Sequence, residues 1–344
     1  MMSKIACVMP TVYVPTVLRF YREIAPDMEF FVVGDVQAPD EEIRAFLETV
    51  QPARYYSAED QRALGYDSCE LLAWRHPGRR SIGVLEAVKA GADIVVNADD
   101  DNTAIKHSYF EDYERLVGAS FTGLQASSDT GWVDAAWFLQ PPVHHRGFPH
   151  QLWHPFSPPE VGSVVNARIG VAAGLWLGDP DIDAVTRIVN RPACMTASPV
   201  TDSGFVVNPT CYSPFNVQNM AFIRELLPAM VMLTPYGRYD DIWCSYIAER
   251  VMRDHDWAVH YGQPYVWQER LGGRDKRLMK DLTDEVEGMK STLEFTQRLD
   301  DMTLPGTSII DDVAHLHEEL AKSPFGRAAE LGAAWVRDCE RVLK

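Results

Sequence analysis

At 344 residues the chain is long enough for one large α/β domain with added helices, and 46% hydrophobic with 24% charged residues is a globular composition. Its net charge of −17, from 32 Lys and Arg against 49 Asp and Glu, repels polyanions and argues against nucleic acid as a partner. A small anionic ligand must therefore be held by local cations, by a metal ion, or by both. Six dispersed cysteines fit reduced cytoplasmic thiols. The first residues lack a signal-peptide pattern, and no apolar run is long enough to span a bilayer, so no membrane partner is expected.

Residues 4–9 read as a buried strand stopped by Pro10-Thr11, and residues 15–24 carry apolar groups at helical spacing. Residues 29–35 repeat the theme and end at Gly34-Asp35, which gives two βα units before residue 50. Asp35 is a candidate acceptor for a nucleotide base or ribose, with an ordinary turn aspartate as the alternative. The stretch from Trp74 to Gly83 is basic and feeds a helix over residues 84–90. Such a loop suits phosphate, because cationic side chains and free N–H groups converge there; a solvated surface loop is the alternative. Arg80 is its candidate ligand-binding residue. No G-x-G-x-x-G or Walker A spacing occurs, which leaves a Rossmann dinucleotide site and a P-loop unsupported.

The apolar run Ile94-Val95-Val96 ends in three consecutive carboxylates, Asp99, Asp100 and Asp101. A buried strand delivering acids to a sheet edge places them where ligands gather in open α/β sheets. Aspartates two apart point the same way on extended backbone, so Asp99 and Asp101 can share a Mg²⁺ or Mn²⁺ ion. Loop or helix-cap roles are the alternative. Residues 124–160 are rich in Pro, Trp and His and read as functional loops with few regular elements. The histidines there have no ligand spacing that favours zinc. A strand over 171–177 ends in a Gly-Asp-Pro turn, and Asp181 or Asp183 starts the next helix. Asp240 and Asp241 open a helix running to about Arg253; they are dipole-stabilised caps, or one of them faces a sugar and handles its hydroxyl protons. Residues 280–300, 311–322 and 327–342 read as charged helices suited to packing or homo-oligomerisation. The expected domains are a ligand-binding unit over 1–272 and a helical extension over 273–344.

Several motifs occur in one order: Pro10-Thr11, the Asp99-Asp100-Asp101 triplet, Arg146-Gly147-Phe148-Pro149, Gly174-Leu175-Trp176-Leu177, Asn219 with Ala221-Phe222, and Gly237-Arg238-Tyr239-Asp240-Asp241 with Trp243. Together they resemble the reversibly glycosylated polypeptides, the flavin-independent UDP-arabinopyranose mutases of plants, over residues 5 to 270. The resemblance implies an α/β fold of the glycosyltransferase A type, a Rossmann-like mixed sheet flanked by helices. It also implies a divalent cation, no flavin, and interconversion of pyranose and furanose forms of a nucleotide-linked sugar. In the family the arginine of Arg-Gly-Tyr-Pro becomes glycosylated; Arg146 matches it, with Phe148 in place of the tyrosine. Gly174, Leu175, Trp176, Asn219 and Arg238 are carried over as nucleotide-sugar contacts with Pro10 and Thr11.

Arg146, Asp240 and Asp241 are thus the expected catalytic residues, and Asp99 and Asp101 the expected ligands of Mn²⁺ or Mg²⁺. A guanidinium is a poor nucleophile because it stays protonated, so holding the diphosphate is the easier role for Arg146. The nucleotide is UDP or GDP, and a metal-dependent glycosyltransferase with a separate acceptor is the competing reading.

Overall fold

The computed structural model describes residues 3–269 and 277–344. The expected domain boundary at 272 and 273 lies outside the described residues.

The chain opens with strands whose apolar side chains are largely buried. β1 (Ile5–Thr11), β2 (Glu29–Gly34) and β3 (Ala53–Tyr56) run parallel, with α1 (Leu18–Ile24) and α2 (Asp40–Leu47) between them. After α3 (Ala58–Ala63) and α4 (Arg80–Lys89) comes β4 (Ile94–Ala98), parallel to β1 on its other side. No residue of β4 reaches solvent, as expected of an Ile-Val-Val strand with cover on both faces. Gly83 lets α4 lie close to this sheet: a Cβ there would stand 2.6 Å from a Val33 methyl and 2.8 Å from one of Val8.

Beyond β4 the sheet turns mixed. β5 (Asn102–Ala104), α5 (Tyr109–Leu116), β6 (Ser120–Ser127) and the short β7 (Leu139–Gln140) precede the 19-residue β8 (Glu160–Gly178). Then follow α6 (Ala184–Val189), β9 (Thr196–Ala197), α7 (Val200–Ser203), β10 (Phe205–Val207), β11 (Asn219–Ile223), α8 (Asp240–Asp254) and β12 (Trp257–Gln268). Among the described residues ten strands pair in the order β3-β2-β1-β4-β11-β8-β6-β10-β12-β5, and β12 also pairs with β8. The architecture is α/β, a large mixed sheet flanked by helices. β8 extends eleven residues upstream of the expected strand, because its first half pairs with β6 while its second half carries the buried run.

The three C-terminal helices, α9 (Leu278–Asp300), α10 (Ile309–Ala321) and α11 (Ala329–Val342), fall close to their expected positions. They pack into the same core as the sheet. Trp243 of α8 stacks on Phe295 of α9 at 4.3 Å between centroids, and Trp335 of α11 donates to the carbonyls of Leu227 and Pro228. Asp338 accepts from the main-chain N–H groups of Asp67 and Ser68. Among the described residues no helix is long and apolar enough to cross a membrane.

Candidate functional site

The carboxyl ends of β1, β2 and β4 converge on one cleft of about 220 Å³. In an open α/β sheet this is the edge where ligands bind. Pro10 and Thr11 end β1, Asp35 follows β2, and Asp99, Asp100 and Asp101 follow β4; all six line the cleft, with Arg75, His76, Arg79 and Arg277. A larger groove of about 530 Å³, lined by Arg168, Glu249, Arg253 and Trp257 among others, shares no residue with it. The smaller cleft carries the acid-rich strand ends.

Each carboxylate of the triplet has a separate role. Asp99 pairs with the buried guanidinium of Arg80, which also donates to the carbonyl of Val217. Asp100 accepts from the Thr11 hydroxyl at 2.6 Å. Burial pushes the Asp100 carboxyl up to about 6, with the Thr11 hydrogen bond opposing and the charges of Asp99 and Asp101 adding to the rise. Asp101 is exposed. Asp35 spends its carboxylate on the protein, accepting from the main-chain N–H of Val36 at 2.6 Å and of His76 at 2.8 Å.

The basic loop divides in the same way. Arg79 is buried under Trp74, its guanidinium 3.6 Å from the ring centroid, and donates to Gln61 and the carbonyls of Cys69 and Leu72. Arg80 is committed to Asp99. Arg75 is exposed at the rim in left-handed backbone, φ 58°. No hydrogen bond or ion pair joins its side chain to another described residue. Non-glycine residues rarely hold this conformation, and those that do cluster at ligand clamps. The phosphate-facing cation that sequence reasoning placed at Arg80 therefore has a freer candidate in Arg75.

Behind the cleft lies a buried charge network centred on Arg146. Its Nε and Nη2 donate to Asp181 at 2.8–3.2 Å, Nη1 and Nη2 donate to Asp241 at 2.9 and 3.0 Å, and Nη1 also donates to the carbonyl of Arg238. Gly147, at φ 102°, turns the chain away where a Cβ would stand 2.4 Å from an Ile242 methyl. Burial alone would lower the pKa of Arg146; Asp181 and Asp241 outweigh it and hold the guanidinium well above its ordinary value. Arg238 pairs with Glu285 of α9, which also accepts from the N–H of Ala184. Asp181, taken from sequence as a possible cap, is part of this network, whereas Asp183 caps α6 through the N–H of Thr186 at 2.9 Å.

The two acids that open α8 differ. Asp241 serves Arg146. Asp240 is buried, and its Oδ2 has no hydrogen-bond partner among the described residues. Burial and the neighbouring Asp241 raise its carboxyl well above the ordinary range, which favours its protonated form. Its Oδ2 lies 3.7 Å from Nε2 of His76, which links the network to the cleft.

Other expected contacts are not brought to the cleft. Asn219 donates to the carbonyls of Leu175 and Pro264 and accepts from the hydroxyls of Tyr109 and Tyr113, so it ties β11 to its neighbours inside the core. Leu175 and Trp176 are buried, and Gly174 sits where a Cβ would stand 2.2 Å from the carbonyl oxygen of Pro264. Arg75, His76, Asp181, Glu285 and Arg277 were missed. Arg75 and His76 belonged to a loop already marked as basic, while nothing in sequence signals that α9 sends Glu285 inward.

Parallel strands converging on an acid-lined cleft, backed by a buried arginine–carboxylate network, make this an α/β protein equipped to bind a polar small molecule. Residues 149–342, more than half of the chain, match the family described as reversibly glycosylated polypeptide, and the chain belongs to that family. UDP-arabinopyranose mutase 3 of Arabidopsis thaliana is 33% identical over 134 residues, 37% of this chain and 35% of that protein. UDP-arabinopyranose mutase 1 of Oryza sativa subsp. japonica is 34% identical over 135 residues, again 37% and 35%. Probable UDP-arabinopyranose mutase 4 of Arabidopsis thaliana is 23% identical over 280 residues, 78% of this chain and 72% of that protein. The chain thus spans about a third of the length of the first two and 72% of the third.

Proposed function

We propose that the protein interconverts the pyranose and furanose forms of a UDP-linked sugar on a glycosyltransferase A type fold, in the cytoplasm and without flavin. The names of the relatives support the reaction, and one observation carries the reading to this site. The triplet Asp99-Asp100-Asp101, the rim cation Arg75 and the buried Asp240 stand around or just behind one cleft at the strand ends.

The donor set suits Mg²⁺ or Mn²⁺. Among the described residues no three His, Cys, Asp or Glu side chains come together to hold a metal, but Mg²⁺ commonly takes one or two carboxylates with substrate phosphates completing its shell. Asp101 and the Asp99 oxygen not bonded to Arg80 would hold the ion, which would supply Lewis-acid stabilisation of the departing diphosphate.

The protein's own groups do the rest. Arg75 faces the diphosphate and offsets its charge. Ring contraction breaks the bond from the anomeric carbon to the phosphate oxygen, bonds the C4 oxygen to that carbon as the C4 hydroxyl loses its proton, breaks the carbon's bond to the ring oxygen as that oxygen is protonated, and restores the phosphate bond. The ring oxygen gains one proton and the C4 oxygen loses one. Asp240, whose protonated form burial favours, can give the first and accept the second, so it ends the cycle as it began. Arg146 fixes Asp241 beside Asp240 through two hydrogen bonds, and the neighbouring Asp241 helps raise the Asp240 carboxyl.

The test is incubation with UDP-arabinopyranose and Mn²⁺ with no acceptor present. UDP-arabinofuranose is the expected product, lost in EDTA and restored by Mn²⁺. Formation of only UDP and free arabinose would favour a glycosyltransferase, and full turnover in EDTA would remove the metal.

A further inference from the structure

His76 sits where the cleft wall meets the buried network, at the N-cap of the short turn Pro77–Arg79. Its ring geometry fixes which nitrogen carries the proton. Nδ1 accepts from the main-chain N–H of Gly78 at 3.0 Å. A main-chain N–H can only donate, so Nδ1 carries no proton and the neutral ring carries it on Nε2. Burial lowers the pKa of this histidine against the opposing pull of Asp241 and Asp35, which favours the neutral ring. The His76 main-chain N–H, held by Asp35, fixes where the ring stands.

The Nε2–H therefore points out of the turn as a donor, and the acid it meets is Asp240. Their 3.7 Å separation exceeds a hydrogen bond. Asp240 Oδ2 is buried and otherwise without a partner among the described residues. A donor and an orphan acceptor thus face one another across a gap slightly too wide to close, beside a cleft that His76 itself lines. Buried polar groups left this way are costly, and a ligand reaching the cleft beside this one can complete it.

We infer that a hydroxyl of the bound sugar bridges this pair from the cleft side, accepting from His76 Nε2–H and bonding to Asp240 Oδ2, so that His76 contributes to sugar recognition. A hydroxyl suits the position because it has one donor and two lone pairs and so satisfies the carboxyl in either protonation state. This rests on the UDP-sugar reading above and adds a residue to it. The arrangement distinguishes sugar from nucleotide: UDP alone has nothing to place between His76 and Asp240, while a UDP-sugar does.

The experiment compares the affinities of UDP and UDP-arabinopyranose, both with Mn²⁺, by calorimetry on the wild type, His76→Phe, His76→Gln and Asp240→Asn. His76→Phe keeps a ring but removes the donor. It is expected to weaken UDP-arabinopyranose about tenfold, the effect of one unpaired polar group, and to leave UDP within about twofold. His76→Gln, which retains an N–H, is expected to recover most of the loss, and Asp240→Asn to lower the sugar-to-nucleotide affinity ratio in the same direction. Equal weakening of both ligands, or a wild-type ratio in His76→Phe or in Asp240→Asn, overturns the inference. Should His76→Phe fail to fold, the ratio in Asp240→Asn decides alone. Failure of the wild type to bind UDP at all would instead sink the proposed function.

Discussion

Replacing Arg146 by Met tests whether the buried network is as strongly coupled as its geometry implies. Methionine keeps much of the apolar stem but removes five hydrogen bonds to Asp181 and Asp241. Asp181 retains the Nδ2 of Asn216 at 2.8 Å and has Arg238 at 3.8 Å. Among the described residues Asp241 has no other donor to its carboxylate, so its charge is stranded in a buried site. Removing one partner of a buried ion pair costs ~3–5 kcal/mol, and the single variant should fall in that range in urea unfolding followed by tryptophan fluorescence. Adding Asp241→Asn removes the stranded charge, so the double variant should regain about 1–3 kcal/mol, the cost of an unsatisfied buried group. The two substitutions together should therefore be milder than Arg146→Met alone, a coupling that a double-mutant cycle reads directly. If Asp241→Asn further destabilises the Arg146→Met protein, or if Arg146→Met unfolds like the wild type, the network does not work as described. Restored stability without restored UDP-sugar isomerisation would assign Arg146 a role in the reaction beyond holding the fold.

Two further outcomes follow from the same structure. Burial lowers the pKa of His317, packed against Gly332, to about 4; the unfolded chain binds a proton near ~6.5, so stability is full above that value and is lost as pH falls towards 4. Between about pH 7.5 and pH 5 this group should cost the wild type about 2 kcal/mol that His317→Phe does not lose, from ~1.36 kcal/mol per pKa unit; identical pH slopes for the two proteins would contradict it. Arg75→Ala should weaken UDP binding by about tenfold or more, the worth of one hydrogen bond to a charged group. It should barely change the melting temperature, because that side chain touches no internal partner, whereas Arg80→Ala should lower the melting temperature by breaking the contacts to Asp99 and Val217. Unaltered UDP affinity in Arg75→Ala would return the phosphate contact to another residue.

What the chain alone determines is whatever follows from local pattern. A β-branched run such as Ile94-Val95-Val96 has to be buried on both faces, and an acid triplet directly after it has to emerge at the strand's carboxyl end, which is where Asp99, Asp100 and Asp101 stand. Helices α9, α10 and α11 were legible from apolar spacing and from Gly and Pro breaks for the same reason: period and capping are properties of neighbouring residues.

Partner choice is not local, and there the tertiary structure decided. Arg75, Arg79 and Arg80 are chemically alike in sequence; only the packed fold buries two of them on internal acceptors and leaves the third at a cleft rim. Asp240 and Asp241 are adjacent and identical, yet Arg146, 95 residues from Asp241 along the chain, hydrogen-bonds one while burial raises the carboxyl of the other. Gly174, Leu175, Trp176 and Asn219 looked like ligand contacts because they form a distinctive motif, but their polar and apolar groups are satisfied inside the sheet. Charge and hydrogen-bonding capacity are set by residue type, whereas whether they are spent on protein or left for a ligand depends on contacts made across hundreds of residues.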